Sequence, residues 1–505
     1  MTFQRPLAYI LIVLIAATLL VAGCTMQATG SSPKAAADAA RAQADTAFTA
    51  GNYHAAETLY ALAQENYTAA GDTTDALSAR DRGFVSVRMT IEFPYNKSAM
   101  AQAIADAYPA VPADRRAGWL NGSMIATMQS DGETWYYADN VGNMRYHNLD
   151  LMQNMTAAMN QTPLYDPLTH YAFAAVNATS GPYGGPVAWE GTEVLSVPRD
   201  QLPANGTLRL WFPQPIETGS QTNVTILSVE PAQYVKSETG TGADLGLAYL
   251  EIPLADVNGS FLNVTATFRF VQHDQRFVID PAKVQPYNTT SPEYLKYTAS
   301  GKNIVVTPAM KAKAQEIVGN ETNPYLEAQK IYWYIMDTLP YSHAPHIWLD
   351  ASGTPESVYV LDTGIGDCGS QSMYFAALCR SLGIPARSVG GYQLVPGSAG
   401  THFWAEYYLE GYGWVPVDVT AAETADWSYN ATADQRHQFK AYYFGGLDPY
   451  RYIIQKDVDI PLTPDPGNAV LFKMVVQSPK VVCDTCPDDV DLILQQYYTT
   501  TVNRA

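Results

Sequence analysis

The chain has 505 residues, and at roughly 150 residues per domain this length predicts about three domains. Apolar residues make up 47% and charged residues 16% of it, so the chain can bury enough surface to fold rather than stay disordered. Its 49 acidic and 30 basic side chains give a formal net charge of −19, and no Lys/Arg-rich run offsets it. Binding to nucleic acid needs clustered cations, so nucleic acid is excluded as an expected partner.

Residues 1–24 read as a secretory signal, with an apolar run followed by small residues before Cys24. The ending LVAGC resembles the lipobox of prokaryotic lipoproteins, which implies that Cys24 is lipidated and becomes the mature N-terminus. An uncleaved membrane anchor is the alternative, because the run approaches the ~20 residues that a span needs. Both interpretations place the rest of the chain on the extracellular face of the cell membrane.

Asn-X-Ser/Thr sequons are dense along the chain, against roughly three expected by chance, and this density predicts N-glycosylation. They begin at Asn66, Asn96, Asn121, Asn154, Asn160, Asn177, Asn205, Asn223, Asn258, Asn263, Asn288, Asn320 and Asn430. A lipobox together with a glycosylated surface predicts an archaeal cell-surface protein.

A Gly/Ser/Pro-containing linker over residues 25–34 precedes an Ala-rich segment, 35–85, with helical spacing. Gly51, Tyr53, Ala56, Tyr60 and Ala63 resemble one tetratricopeptide unit. About three stacked repeats are needed for independent stability, so we interpret 35–85 as a helical hairpin that acts as a spacer. A short peptide-binding array is the alternative.

Residues 86–184 have a mixed pattern that predicts no single fold. From 185 to 285, short alternating strands separated by Gly, Pro and Asn turns predict a β-sandwich. A helix is then predicted to begin with Thr307 as its N-cap and Pro308 in its first turn.

The segment Gly364-Ile365-Gly366-Asp367-Cys368-Gly369 leads into a helical stretch that stops before GIPAR. The glycines permit a tight turn, so Cys368 is predicted at or near the first helical turn. Unpaired backbone N–H groups and the positive end of the helix dipole there stabilise a thiolate, and we expect the pKa of this thiol to be lowered. Cys379 lies three turns further on and is predicted to pack in the core.

The segment THFWAEYYLEGYGWVPVDVT predicts a two-stranded hairpin. If its loop has an odd number of residues centred on Gly411, His402 and Asp418 share one face, close enough for a hydrogen bond. The opposite, apolar face would carry four core residues, namely Phe403, Ala405, Val415 and Val417. A thiol nucleophile, a base and a carboxylate that orients the base are the parts of a catalytic triad, so Cys368, His402 and Asp418 are the candidate catalytic residues.

The runs GDCGSQSMYFAALCRSLGIPARSVGGY and HFWAEYYLEGYGWVPVDVT resemble the core of the transglutaminase-like superfamily of papain-like thiol enzymes. Further residues that match the family pattern are Arg380, Gly383, Ile384, Pro385, Ala386, Arg387, Trp404, Glu406, Trp414, Val417 and Thr420. Phe403 replaces the usual Ala and Val419 the usual Pro. The resemblance covers roughly residues 185–450.

The resemblance implies an α+β fold: a papain-like transglutaminase core, with the Cys helix packed on an antiparallel sheet, preceded by the β-sandwich and the helical hairpin. Its catalytic domain would span 290–450, followed by a C-terminal extension over 451–505. A second donor to the oxyanion, beside the Cys368 backbone N–H, is expected upstream, where Tyr341, His343 and Trp348 lie, but the sequence assigns none of them.

Cys483 and Cys486 form a CDTC motif near the C-terminus. A zinc site would need a second ligand pair, so a local disulfide is the favoured interpretation and free thiols the alternative. No dinucleotide or phosphate-loop motif is present, and we expect no cofactor and no metal.

Three functions remain open from the sequence. The leading one is a membrane-anchored extracellular thiol enzyme that acts on amide bonds of peptides or proteins through a Cys thioester, with hydrolysis preferred over cross-linking. The other two are a non-catalytic binding lipoprotein and a structural surface lipoprotein. An intact set of Cys, His and carboxylate favours the enzyme, because binding does not need all three.

Overall fold

The computed structural model describes residues 32–122, 124–158, 166–174, 181–396, 399–428, 430–467, 470–486 and 490–505. The signal segment 1–24 with Cys24, most of the linker 25–34, and the sequons at Asn160 and Asn177 lie outside the described residues. Within these ranges, no helix combines the length and the apolar character needed to cross a membrane.

The N-terminal part is built from three helices, so a third helix extends the predicted hairpin. They are α1 Pro33–Thr49, α2 Tyr53–Ala69 and α3 Thr73–Thr90. Small side chains such as Ala37, Ala63 and Ala79 are buried where the helices meet, and this lets them pack closely. The third helix continues past residue 85 because Phe84 and Met89 are also buried.

The segment 86–184, for which the sequence predicted no fold, continues this helical region. It contains α4 Lys97–Ala107, α5 Ala113–Trp119, the hairpin β1 Thr127–Ser130 and β2 Glu133–Tyr136, and then α6 Asn140–His147, α7 Leu149–Ala158 and α8 Asp166–Ala172. Helices α6 and α7 bring this region next to the candidate site.

A β-sandwich follows, as predicted. Its strands are β3 Tyr183–Pro198, β4 Thr207–Pro213, β5 Gln221–Glu230, β6 Val235–Glu238, β7 Leu247–Pro253 and β8 Phe261–Arg276. The alternating apolar residues of both sheets, such as Leu195, Leu210 and Leu250, meet in one buried cluster between them. Short 3₁₀ turns lie at Arg199–Gln201, Ala232–Tyr234, Leu254–Asp256 and Pro281–Lys283.

The next region alternates helices with a four-stranded antiparallel sheet. Its elements are α9 Pro292–Thr298, α10 Pro308–Val318, α11 Pro324–Thr338, α12 His346–Ser352, α13 Glu356–Thr363, α14 Cys368–Ser381, β9 Ala386–Gln393, β10 Gly400–Leu409, β11 Gly413–Val417, α15 Val419–Trp427 and α16 Ala433–Tyr442. The predicted start of α10 is confirmed, since the Thr307 hydroxyl accepts a hydrogen bond from the Met310 N–H at 3.0 Å.

The remaining elements are β12 Gly446–Leu447, β13 Arg451–Gln455, β14 Lys480–Cys483, α17 Val490–Gln495 and β15 Tyr498–Arg504. The sheet order β11-β10-β9-β13 places β10 centrally, and α14 packs on β9 and β10. The predicted α+β class, with the Cys helix on an antiparallel sheet, is confirmed.

The segment 451–505, predicted as an extension, contributes strands to the four-stranded sheet and to the β-sandwich. Strand β13 pairs with β9, whereas β14 pairs with β4 and β15 with β3 in the sandwich. The C-terminal strands therefore close the β-sandwich that residues 185–285 begin, and the chain returns to it after passing through the candidate site.

Candidate functional site

The turn before α14 places Cys368 at the first helical position. Gly364 ends α13 with a φ of 71°, a left-handed conformation that favours glycine. A Cβ on Gly366 would lie 2.6 Å from the Ser370 hydroxyl oxygen, so this turn has no room for a larger residue. Asp367 is the N-cap, and its Oδ1 accepts hydrogen bonds from the N–H groups of Gly369 and Ser370, each at 3.1 Å. The backbone N–H of Cys368 has no intrahelical acceptor at this position.

The electrostatic environment of Cys368 differs from the expectation. Burial and the adjacent Asp367 carboxylate raise the pKa of the thiol, and the backbone N–H groups of Phe403 and Gly369 lower it by less. The predicted net lowering is therefore wrong, because the helix-terminal N–H groups compete with a neighbouring carboxylate and with desolvation. This thiol keeps its proton until a base removes it.

The hairpin after α14 has the predicted register. Leu409 pairs with Gly413, so the loop contains three residues centred on Gly411, whose φ is +90°. His402 lies on β10 one residue before Phe403, whose side chain packs against Gly369 beside Cys368. The start of the Cys helix therefore lies against the part of β10 that carries His402.

Asp418 lies just after β11 and is the N-cap of α15, where its Oδ1 accepts a hydrogen bond from the Ala421 N–H at 2.9 Å. Its Oδ2 lies 2.9 Å from Nε2 of His402. The strand was expected to continue through Val419, but that residue begins the helix. The first helical position is where proline is favoured, which explains why the family pattern has Pro there.

A buried arginine also holds Asp418. Nη1 of Arg451 donates to Oδ2 of Asp418 at 2.6 Å, and its Nη2 donates to Oδ2 of Asp448, also at 2.6 Å. The Arg451 and Asp418 side chains are 0% exposed, so neither charge is compensated by solvent. Despite burial, His402 and Arg451 hold the pKa of Asp418 well below its usual range. Asp418 is therefore an anion aimed at the His402 ring.

The face of β10 that carries His402 is buried, although it was expected to lie away from the core. Trp404 on the same face is fully buried, and the Arg451 guanidinium carbon lies 5.3 Å from the centre of its ring. The other face is also buried, through Phe403 and Ala405. The expectation of one core face is wrong because β10 is a central strand that is covered on both sides.

Several residues of the family pattern support the fold instead of the chemistry. Arg387 donates to Oε2 of Glu406 through Nε at 2.8 Å and Nη2 at 2.6 Å, and its guanidinium carbon lies 3.9 Å from the Trp414 ring centre. Arg380 donates to Oδ2 of Asp457 at 2.8 Å. The first pair joins β9 to β10, and the second joins α14 to the segment after β13.

Of the three upstream aromatic candidates, Tyr341 is next to the nucleophile. It forms a strand-like bridge with Gly366, two residues before Cys368. Burial raises the pKa of Tyr341 well above its usual value, so the hydroxyl keeps its proton. His343 and Trp348 contact the N-terminal region, through Tyr146 and Phe93 respectively.

The N-terminal region borders this site. The Asn143 side chain accepts from the His343 N–H at 2.9 Å and donates to the His343 carbonyl at 3.0 Å. The Tyr146 ring centre lies 4.8 Å from that of Tyr341 and 5.1 Å from that of Trp427. These contacts hold the segment that precedes the Cys helix against residues 86–184, for which the sequence predicted no fold.

The other cysteines lie elsewhere. Cys379 is fully buried in the core with a free thiol, as predicted. Cys483 and Cys486 are joined in a disulfide with their Cα atoms 5.3 Å apart, the pairing that the sequence favoured. Among the described residues, no group of three or more His, Cys, Asp or Glu side chains is placed to hold a metal ion.

Sequence reasoning missed two sets of residues around the site. One is Arg451 with Asp448, whose i,i+3 spacing carries no recognisable signal. The other is His346, whose ring lies 2.6 Å from Asp367 and 2.8 Å from Glu356. The available signal for His346 was its partner Asp367, because this carboxylate directly precedes the candidate nucleophile.

Comparison with known proteins finds a family match over the part of the chain that contains these residues. Residues 311–419 match the family model of the transglutaminase-like superfamily, and the match includes Cys368, His402 and Asp418. A stretch of 162 residues is 30% identical to an uncharacterized protein of Haemophilus influenzae. It covers 27% of this chain and 42% of that protein, so the chain spans less than half the length of this relative.

Two solved structures overlap with the chain in part. One is from Cytophaga hutchinsonii and is described as a proposed cysteine protease, with 14% identity, a TM-score of 0.39, and coverage of 64% of this chain and 92% of its own. The other is the periplasmic domain of TgpA from Pseudomonas aeruginosa, with 16% identity, a TM-score of 0.23, and coverage of 52% and 96%.

Proposed function

We propose that this chain, which belongs to the transglutaminase-like superfamily through residues 311–419, is a thiol enzyme that cleaves amide bonds of peptides or proteins. The observation that carries the proposal is the 2.9 Å contact between His402 and the buried Asp418, on the strand against which the Cys368 helix begins. This arrangement supports the proposal, because a thiol nucleophile needs a base and an anion that orients the base.

The first step is the transfer of the Cys368 proton to His402. Nε2 of His402 faces Asp418, which leaves Nδ1 as the ring nitrogen that takes this proton. The imidazolium is stabilised by the Asp418 carboxylate, and Arg451 fixes that carboxylate in place. His402, held by Asp418, therefore provides the base that the Cys368 thiol needs, because burial alone would keep this thiol protonated.

The thiolate then attacks the carbonyl carbon of the amide. The Cys368 N–H at the helix start is one donor to the developing oxyanion, and we assign the Tyr341 hydroxyl as the second. The C–N bond breaks, the amine leaves with the proton from His402, and a thioester remains on Cys368. Water attacks the thioester with His402 as base, and a carboxylic acid and the free thiol result.

An amine in place of water would give transamidation, and we place hydrolysis first. The substrate proposed is a peptide or protein outside the cell. The N-terminal segment, through a lipid on Cys24 or as a membrane helix, would hold the enzyme on the extracellular face. A Cys24→Ser variant tests this anchor: detergent partitioning changes if Cys24 is lipidated, whereas a native N-terminus that retains Met1 or Thr2 indicates a membrane helix.

Two assays on the full-length chain in detergent test the activity. One measures hydrolysis of a peptide library by mass spectrometry, and the other measures incorporation of a labelled amine. Wild type is expected to be active in the first, and Cys368→Ala inactive. Cys379→Ala is the matched control, since that thiol is buried away from the site. Equal activity of wild type and Cys368→Ala would reject the thiol mechanism, and inactivity of both would favour a binding lipoprotein.

A further inference from the structure

A second histidine lies close to the nucleophile, in contact with Asp367, the residue that precedes Cys368. The His346 ring lies between two carboxylates, with Nε2 at 2.6 Å from Oδ2 of Asp367 and Nδ1 at 2.8 Å from Oε1 of Glu356. An ionised carboxylate only accepts hydrogen bonds. Both ring nitrogens must therefore donate, which makes the ring an imidazolium when the two carboxylates are ionised.

Asp367 is held from two directions. Its Oδ1 caps α14 through the N–H groups of Gly369 and Ser370, while its Oδ2 binds His346. The two oxygens thus connect the helix start to the His346 ring. Since Cys368 is the next residue, the position of the Asp367 carboxylate also fixes the direction of the Cys368 N–H.

Asp367 also carries a charge beside the thiol. Its carboxylate disfavours the Cys368 thiolate, second only to burial among the effects on that group. A cation bound to Asp367 offsets this charge. Removing the cation and keeping the carboxylate would leave a bare negative charge next to the nucleophile.

The other titratable groups around the ring do not replace this cation. Those nearest in the surrounding elements are Glu92, Tyr137, His343, Asp350, Tyr359 and, beyond the Phe472 ring, Lys480. Burial raises the pKa of Glu92 to about 8, so this group is mostly protonated at neutral pH. Lys480 lies 5.5 Å from the Phe472 ring centre. Within the part of the chain that the structure describes, His346 is the cationic side chain that hydrogen-bonds to the Asp367 carboxylate.

We propose that His346 is a positioning residue for the nucleophile: as an imidazolium between Glu356 and Asp367, it fixes the carboxylate that caps the Cys368 helix and offsets its charge beside the thiol. It acts through Asp367 and does not touch the reacting atoms. The inference adds to the proposed function, and its main test does not depend on catalysis.

The test measures the rate of Cys368 alkylation by iodoacetamide against pH in the full-length chain. His346→Gln is expected to slow alkylation at pH 7 about tenfold, since an uncompensated charge close to a thiol raises its pKa by about one unit. The double variant His346→Gln/Asp367→Asn is expected to recover to within about threefold of wild type, because Asn still caps the helix but carries no charge.

Two further variants separate charge from structure. Glu356→Gln keeps the His346 contact with Asp367, so its alkylation rate is expected to stay within about threefold of wild type. His437→Gln is the matched control, because His437 stacks on Trp333 in another part of the fold. Protection of Cys379 from alkylation verifies that each variant is folded.

The outcomes decide between the alternatives. Wild-type alkylation in His346→Gln would overturn the proposal, and so would a double variant as slow as the single one, since the role would then be structural. If Cys379 is no longer protected in His346→Gln, that variant is not folded. The alkylation rates of the double variant and of Glu356→Gln then decide, each against the threefold limit given above. With an active substrate, kcat is expected to fall in His346→Gln while KM is kept. Absence of amide cleavage in wild type would reject the proposed function and leave the alkylation result standing.

Discussion

Replacing Arg451 by Met tests the buried charge network behind His402. Arg451 donates to Asp418 at 2.6 Å and to Asp448 at 2.6 and 3.2 Å, and neither Arg451 nor Asp418 has any exposed side-chain surface. The substitution keeps most of the side-chain volume and removes the cation. Two buried carboxylates then lose their common partner.

The expected loss in the free energy of unfolding depends on the hydrogen bonds that each carboxylate keeps. Asp418 keeps His402 and the Ala421 N–H, and Asp448 keeps the Tyr443 hydroxyl and the Tyr450 N–H. Removing one partner of a buried ion pair costs about 3–5 kcal/mol. Because the remaining hydrogen bonds satisfy part of each carboxylate, we expect a loss of about 4 kcal/mol in the free energy of unfolding of this region.

Cys379 provides a local assay, since its buried thiol reacts only when the core around α14 opens. In a Cys368→Ser background, Arg451→Met is expected to increase the labelling rate of Cys379 about a thousandfold, at 1.36 kcal/mol per factor of ten. The matched control is Arg269→Met, which breaks the exposed pair with Glu190. An exposed pair contributes about 1 kcal/mol or less, so labelling should change less than about tenfold.

Adding Asp448→Asn to Arg451→Met removes one of the two unpaired charges and should recover part of the loss. If Arg451→Met labels no faster than the Arg269→Met control, the network is not needed for stability and the reasoning is wrong. If the double variant labels faster than the single one, the charge of Asp448 is not the source of the cost.

Three other predictions follow from the structure. His402→Ala should reduce the rate of single-turnover cleavage to the level of Cys368→Ala, and the Cys368→Ala/His402→Ala double variant should be no slower than either. Asp418→Asn should lose less activity. Additive losses in the double variant would contradict a joint role of Cys368 and His402. Burial raises the pKa of Glu193 to about 8, so the folded protein holds a proton that the unfolded chain has lost above about pH 4.5. The free energy of unfolding should therefore fall as pH rises from about 4.5 to about 8. In urea unfolding, Glu193→Gln should reduce the slope of this free energy against pH by about 1.4 kcal/mol per pH unit. An unchanged slope would contradict this role of Glu193. Asn143→Ala removes two hydrogen bonds to the segment before the Cys helix and should lower kcat about tenfold in steady-state assays, whereas full kcat would show that the N-terminal region does not support the site.

Local rules were enough to predict the parts of the site that neighbouring residues determine. The glycines and the capping Asp367 place Cys368 at the first helical position. The three-residue turn at Gly411 sets the register that brings His402 near Asp418. Each of these features depends on backbone conformations within one turn or one hairpin, and such conformations are visible in the residue types.

The remaining parts depend on elements that are distant in sequence. Arg451 reaches Asp418 because β13 pairs with β9, two strands away from β11, and no spacing in the sequence fixes that pairing. His346 meets Glu356 and Asp367 where the starts of three helices converge. The burial of both faces of β10 was also missed, although the large apolar side chain of Trp404 on the face expected to be exposed indicated burial there.

The charges near Cys368 explain why a helix N-terminus does not by itself activate this thiol. Asp367 and Glu356 share the His346 cation, and Asp418 and Asp448 share the Arg451 cation. In each network two carboxylates share one cation, so a free thiolate would add a negative charge where carboxylates already outnumber cations. Transfer of the thiol proton to His402 avoids this, because the new imidazolium supplies the missing cation next to Asp418. The buried networks therefore favour the thiolate only as an ion pair with His402, so reactivity should depend on that residue more than on the helix dipole.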